Sequence, residues 1–193
     1  MLTDFSLGAF ILLGVIILFG VVVTSLLCFF LLVMHEYGHV AAMMRYGIKT
    51  EYVVIGWPTV ARVRIGGLQH HIGLIPMFGY AYSTEFLKTS PRARLMIALA
   101  GPLASLLLGL FLFGVLSVTP DNWLLSMAAW GSLALAGLNI VPLPPMDGWH
   151  VVKYMMARRG GAVSEEMEHN LFVAGIVFVW LTVLVASSLD VAA

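Results

Sequence analysis

Charge is what this sequence has least of: ten Lys and Arg and ten Asp and Glu among 193 residues, with a formal net charge of zero. So little charge leaves no basic run or stripe to track a phosphate backbone, and no nucleic-acid partner is expected. The single cysteine, Cys28, excludes an intrachain disulfide, and its apolar neighbours make it a small packing residue. A basic leader is missing too. Asp4 is the only charged side chain before residue 35, so the first apolar run is expected to remain rather than be cleaved as a signal peptide. No repeat, low-complexity tract or linker is present, and residues 1–193 read as a single domain.

What fills the sequence instead is hydrocarbon. Hydrophobic residues make up 61% of it and the mean hydropathy is +0.98, against about 45–50% apolar residues in ordinary soluble domains. The expected fold is an α-helical integral membrane protein with four transmembrane helices, at about 7–45, 95–118, 123–141 and 171–189. The first is one long, tilted helix, because residues 6–34 hold no charge yet are too few for two spans and a turn. Gly8, Gly14 and Gly20 are spaced for local packing, whereas Gly101, Ser105 and Gly109 recur every four residues and favour close approach of a neighbouring helix. Pro102 is expected to kink the second helix or sit in its first turn.

Between the first two spans the pattern changes. Val60, Ala61, Arg62, Val63, Arg64 and Ile65 alternate as a strand does, and Gly56-Trp57-Pro58 and Gly66-Gly67 read as turns. Residues 71–80 are apolar, too short to span and broken by Gly and Pro. A small membrane-associated β-hairpin region over 50–82 follows, with its last part dipping into the bilayer where protein or water satisfies the backbone.

Against this background His35-Glu36-Tyr37-Gly38-His39 stands out. On a helix His35 and His39 lie one turn apart on one face and can share a Zn²⁺, while the adjacent Glu36 can take a proton from an attacking water. Three ionisable groups in a membrane segment cost on the order of 2.5–3.5 kcal/mol each, which argues for a functional cluster. Asp147 is the second such residue, in a stretch broken by Pro142, Pro144 and Pro145. It is either a helix cap or a further ligand. His70 and His71 are neighbours on a strand and point to opposite faces, so at most one could join a site.

All Lys and Arg fall in two connectors, 45–94 and 153–159. The positive-inside rule makes both cytoplasmic and puts the N- and C-termini outside, with the active site toward the cytoplasmic side of the cell membrane. His35, His39 and Asp147 then share one depth, and two imidazoles with a carboxylate make an open zinc site of the catalytic kind.

Taken together, the His35–His39 motif, the stretch Leu74, Ile75, Pro76, Met77, Phe78, Gly79, Tyr80, the Gly101-Pro102 pair, and the run from Asn139 through Pro142 to Asp147-Gly148 resemble the site-2 protease family of intramembrane zinc metalloproteases. The resemblance runs from about residue 34 to 150. It implies one Zn²⁺ per chain held by His35, His39 and Asp147, with Glu36 as catalytic base. It also implies that Asn139 and the stretch from Leu74 to Tyr80 bind substrate. The implied partners are the lipid bilayer and a single-pass transmembrane protein, such as an anti-sigma factor or membrane-tethered regulator. The implied reaction is hydrolysis of a peptide bond in or near a transmembrane segment. The sequence departs from many bacterial members in having only a few residues between spans two and three, where they carry a PDZ domain, and no CBS domain is expected. Two other functions use the same residues: a membrane metal-binding or transport protein, and an inactive protease-like binder of transmembrane segments.

Overall fold

The computed structural model describes residues 7–191. In chain order it consists of helix α1 (Leu7–Arg45), strands β1 (Tyr52–Ile65) and β2 (Leu68–Tyr82), a 3₁₀ turn at Phe86–Lys88, and helices α2 (Pro91–Leu116), α3 (Trp123–Ile140), α4 (Trp149–Arg158) and α5 (Glu165–Val191). Three of these, α1, α2 and α3, are long and apolar enough to cross a membrane. The structure is therefore mostly helical, with three candidate spans and a two-stranded antiparallel hairpin.

Local chemistry sets the helix ends. Ser90 Oγ accepts a hydrogen bond from the Ala93 amide (3.2 Å) with Pro91 at the first helical position, so α2 starts four residues before the expected 95. Pro102 consequently lies well inside α2, where it removes one backbone donor. Asn122 Oδ1 caps α3 by accepting from the Leu125 amide (3.0 Å). At the end of α1 the chain turns at Gly47, whose φ of 69° suits glycine, and the Ile48 amide donates back to the Met43 carbonyl (2.9 Å).

Burial is inverted relative to a soluble domain. Long apolar side chains such as Phe19, Leu26 and Phe111 are exposed, while His35, Glu36, His39, Ser105 and Ser132 are buried. This is the arrangement a hydrocarbon solvent favours, because lipid tails accept leucine as readily as a protein core does and polar groups must be satisfied inside. Small residues bring the helices together. A Cβ on Gly38 of α1 would lie 2.5 Å from the Ala100 carbonyl oxygen and 2.8 Å from Ala104 Cβ of α2, and one on Gly109 would lie 2.6 Å from Leu133 Cδ2 of α3. The expected packing at Gly14 and Gly20 is not found. Nothing approaches either within 4 Å among the described residues, because this half of α1 projects past its neighbours. Cys28 is exposed rather than packed for a related reason, since it falls on the outward face of α1.

The strands close over the buried end of α1. Gly66 and Gly67, both at positive φ, form the turn of the hairpin. Gly56-Trp57-Pro58 bends β1 rather than ending it, and the register shifts there. Each of residues 52–55 has two partners: Val53 faces His70 and Ala81, and Ile55 faces Ile72 and Gly79. The strands thus fold back on themselves, with 79–82 as an outer row. Val53 and Ile55 pack with Leu32 and Val40 of α1 in one cluster, which fixes the central segment 52–55 against the helix, with Ala81 of the outer row packed beside it.

Replacing Gly38 with valine should force α1 and α2 apart. Overpacking of this kind costs about 1–3 kcal/mol, and a lowered thermal unfolding midpoint in detergent would register it.

Candidate active site

Three donor atoms converge where α1 meets the loop between α3 and α4. His35 Nε2 lies 3.1 Å from Asp147 Oδ2, His39 Nε2 lies 3.4 Å from the same oxygen, and the two Nε2 atoms are 3.4 Å apart. Ligands about 2.0–2.1 Å from a tetrahedral zinc stand roughly 3.3 Å from one another, so the triangle has the size that a single ion requires.

The hydrogen bonds around the triangle explain its chemistry. His39 Nδ1 donates to the Ile97 carbonyl of α2 (2.8 Å), which puts the ring proton on Nδ1 and the lone pair on Nε2. His35 Nδ1 contacts Ser105 Oγ of α2 at 3.0 Å, and donation to that hydroxyl fixes the same tautomer. Two imidazole lone pairs and a carboxylate oxygen then face one another in a buried space. Such a set repels itself unless a proton or a metal cation lies between its members, and two nitrogens with one oxygen suit Zn²⁺. Gly101 leaves the space open: a Cβ there would run into His39 Nε2 and come within 2.8 Å of His35 Nε2.

Glu36 is 3% exposed, and its Oε2 has no hydrogen-bond partner among the described residues. Its Oε1 faces the outer row of the sheet, where a Cβ on Gly79 would come within 2.8 Å. Glu36 lines a cavity of about 210 Å³ together with the three ligand candidates, Gly79, Tyr80, Asn139 and His150.

Of the residues singled out in the sequence, the structure brings together His35, Glu36, His39, Asp147, Asn139, Gly79 and Tyr80. Leu74, Ile75, Met77 and Phe78 lie outside the cavity wall with exposed side chains, and Pro76 is outside it as well. Asp147 is not the cap of α4, because that position is held by Gly148 and no side-chain capping bond is made. His70 is away from the three ligand candidates, hydrogen-bonded through Nε2 to the Tyr37 hydroxyl (2.6 Å).

Sequence reasoning missed Ser105, Ser132 and His150. Ser105 had been assigned to helix packing. In the structure it holds His35, and its own carbonyl accepts from Ser132 Oγ of α3 (2.7 Å), which links three helices through one residue. A hydroxyl on a small-residue stripe was the available signal. His150 is in the first turn of α4, where burial, reinforced by Lys153, lowers its pKa to about 4.

Comparison with known proteins identifies the family. The model of peptidase family M50 matches residues 23–121 and 121–182. A Chlamydia trachomatis chain named among the zinc metalloproteases is 31% identical over 49% of this chain and 19% of its own length. A zinc metalloprotease of Methanocaldococcus jannaschii is 28% identical over 72% of this chain and 36% of its own. The structure resembles the site-2 protease from Methanocaldococcus jannaschii, with a TM-score of 0.52 at 26% identity, over 79% of this chain and 65% of that one. The chain belongs to peptidase family M50, the site-2 protease family. It spans well under half the length of the curated relatives it matches.

Ser105→Ala should weaken zinc binding about 10–100-fold, as loss of a hydrogen bond to a ligating histidine does elsewhere. Competition against a chelator of known affinity measures it directly.

Proposed function

We propose that this chain is a zinc-dependent intramembrane endopeptidase that hydrolyses a peptide bond in or near the transmembrane segment of a single-pass membrane protein. The observation that carries the reading is the buried, unpartnered carboxylate of Glu36 beside the triangle of His35, His39 and Asp147. A metal carrier has no use for such a base, and an inactive binder has no use for an intact ligand set.

His35, His39 and Asp147 would hold the zinc. When bound, it supplies Lewis acidity toward the scissile carbonyl and the attacking water. Glu36 accepts a proton from that water as its oxygen bonds to the carbonyl carbon. As the C–N bond breaks, Glu36 returns the proton to the leaving nitrogen, so that one water is consumed and one carboxyl and one amine end appear. Burial of Glu36 keeps bulk water from competing for that proton.

A helical substrate hides its carbonyls in i→i−4 bonds and must be extended before attack. Among the described residues, the outer row 79–82 has strand partners on one side only, from residues 52–55. Its other side is suited to an added substrate strand, which would run past Glu36. The apolar, exposed Leu74, Ile75, Met77 and Phe78 then lead the substrate in from the bilayer. Pro76 interrupts this edge because it has no N–H to give.

In the membrane, α5 serves as a fourth span. The connectors holding all the Lys and Arg face the cytoplasm, both termini lie outside, and the site sits toward the cytoplasmic side. Asp4 lies outside the described residues. An anti-sigma factor or another membrane-tethered regulator fits as substrate, since cleavage at this depth releases a cytoplasmic domain.

Glu36→Gln should retain one zinc per chain and lose cleavage of a single-pass substrate by several orders of magnitude. Cleavage by the wild type should stop with a chelator and return on adding zinc. A Glu36→Gln variant that still cleaves would falsify the base assignment, and a wild type that carries zinc yet cleaves nothing would favour the binding readings.

A further inference from the structure

Hydrolysis by this site, on the reading above, puts negative charge on the scissile carbonyl oxygen, and hydrogen-bond donors placed for that charge supply much of the catalysis in acyl transfer. The ionisable groups already assigned cannot donate. The Nδ1 protons of His35 and His39 are committed to Ser105 and Ile97, and Glu36 and Asp147 are carboxylates. Three other polar side chains line the cavity. Asn139 donates one of its two Nδ2 hydrogens to the Leu135 carbonyl of its own helix (2.9 Å) and keeps the other. Tyr80 is nearly half exposed, with its ring packed edge-on to Tyr52 at 6.2 Å.

The third is His150. Neither of its ring nitrogens has a hydrogen-bond partner among the described residues, and it is not part of the metal-ligand group. A neutral imidazole always carries one N–H, so this wall of the cavity offers an uncommitted donor. The ring is also well supported. Phe86 packs edge-on against it at 5.5 Å. Its backbone amide donates to the Asp147 carbonyl (3.0 Å), so the imidazole is held one turn from the proposed ligand. The preceding Trp149 is buried, and its indole N–H donates to Glu168 of α5 (3.3 Å).

We propose that His150 is a further catalytic residue, whose imidazole N–H donates a hydrogen bond to the scissile carbonyl oxygen as that oxygen gains negative charge. This puts a donor from α4 and the base from α1 on the wall of one cavity.

The test compares the purified full chain with His150→Leu and His150→Gln. Zinc per chain, kcat and KM on a transmembrane peptide, and affinity for a phosphinate isostere of that peptide are measured together. In His150→Leu, zinc should stay at one per chain and KM should hold, while kcat falls about 10²–10³-fold, the usual cost of removing one such donor. Affinity for the phosphinate, which carries the anionic oxygen, should fall while affinity for the ordinary peptide does not. His150→Gln, which retains an N–H, should recover part of both losses. The proposal is overturned if His150→Leu matches the wild type in kcat and phosphinate affinity, or if its losses track loss of zinc. A wild type that binds the phosphinate in a His150-dependent way but cleaves no peptide would sink the endopeptidase reading and leave the donor in place.

Discussion

Everything in this molecule is arranged around three lone pairs that must share one buried place. Left to themselves, two imidazole lone pairs and a carboxylate oxygen at these separations repel unless a proton or a metal cation joins them. The protein holds them by fixing the other end of each imidazole. A carbonyl of α2 takes one Nδ1 proton, and the Ser105 hydroxyl takes the other. Both holdfasts come from α2, the helix that packs against α1 through Gly38 and Gly101. The small residues between these helices are therefore part of the chemistry as well as of the packing, since a bulkier interface would carry the holdfasts away.

The centre of the site was legible in the sequence because hydrocarbon is a strict background. A histidine pair with helical spacing at the end of an uncharged run, and an aspartate between prolines and a helix, stand out where each ion costs several kcal/mol. Counting basic residues put them at one depth, and their donor atoms lie within hydrogen-bonding range. The hairpin was legible too, because alternation in residues 60–65 and the paired glycines at 66–67 are local signals. Its folding back, which gives residues 52–55 partners on both sides, was not legible. That pairing depends on contacts distant in sequence.

What remained hidden had the chemistry of ordinary packing. Ser105 sits in a row of small residues, and nothing local separates a serine that fills a gap from one that orients a ligand. Only the opposing helix decides. Gly14 and Gly20 show the converse: local packing was expected there, but α1 outruns the helices beside it, and no local pattern reports where a partner ends. The stretch from Leu74 to Tyr80 divides at its last two residues, because the row turns inward only where Gly79 passes Glu36.

The length of α1 carries one more consequence. Its uncharged part, residues 7–34, is roughly 42 Å long at about 1.5 Å per residue, whereas the hydrocarbon layer is about 30 Å thick. The sheet and α2 grip the histidine end, so the surplus cannot be absorbed there. A helix that outruns the hydrocarbon can be accommodated by leaning, and such a lean steepens as the bilayer thins. The ligand-bearing turn is the fixed end of that lever, which ties the attitude of the first helix to the thickness of the lipid around it.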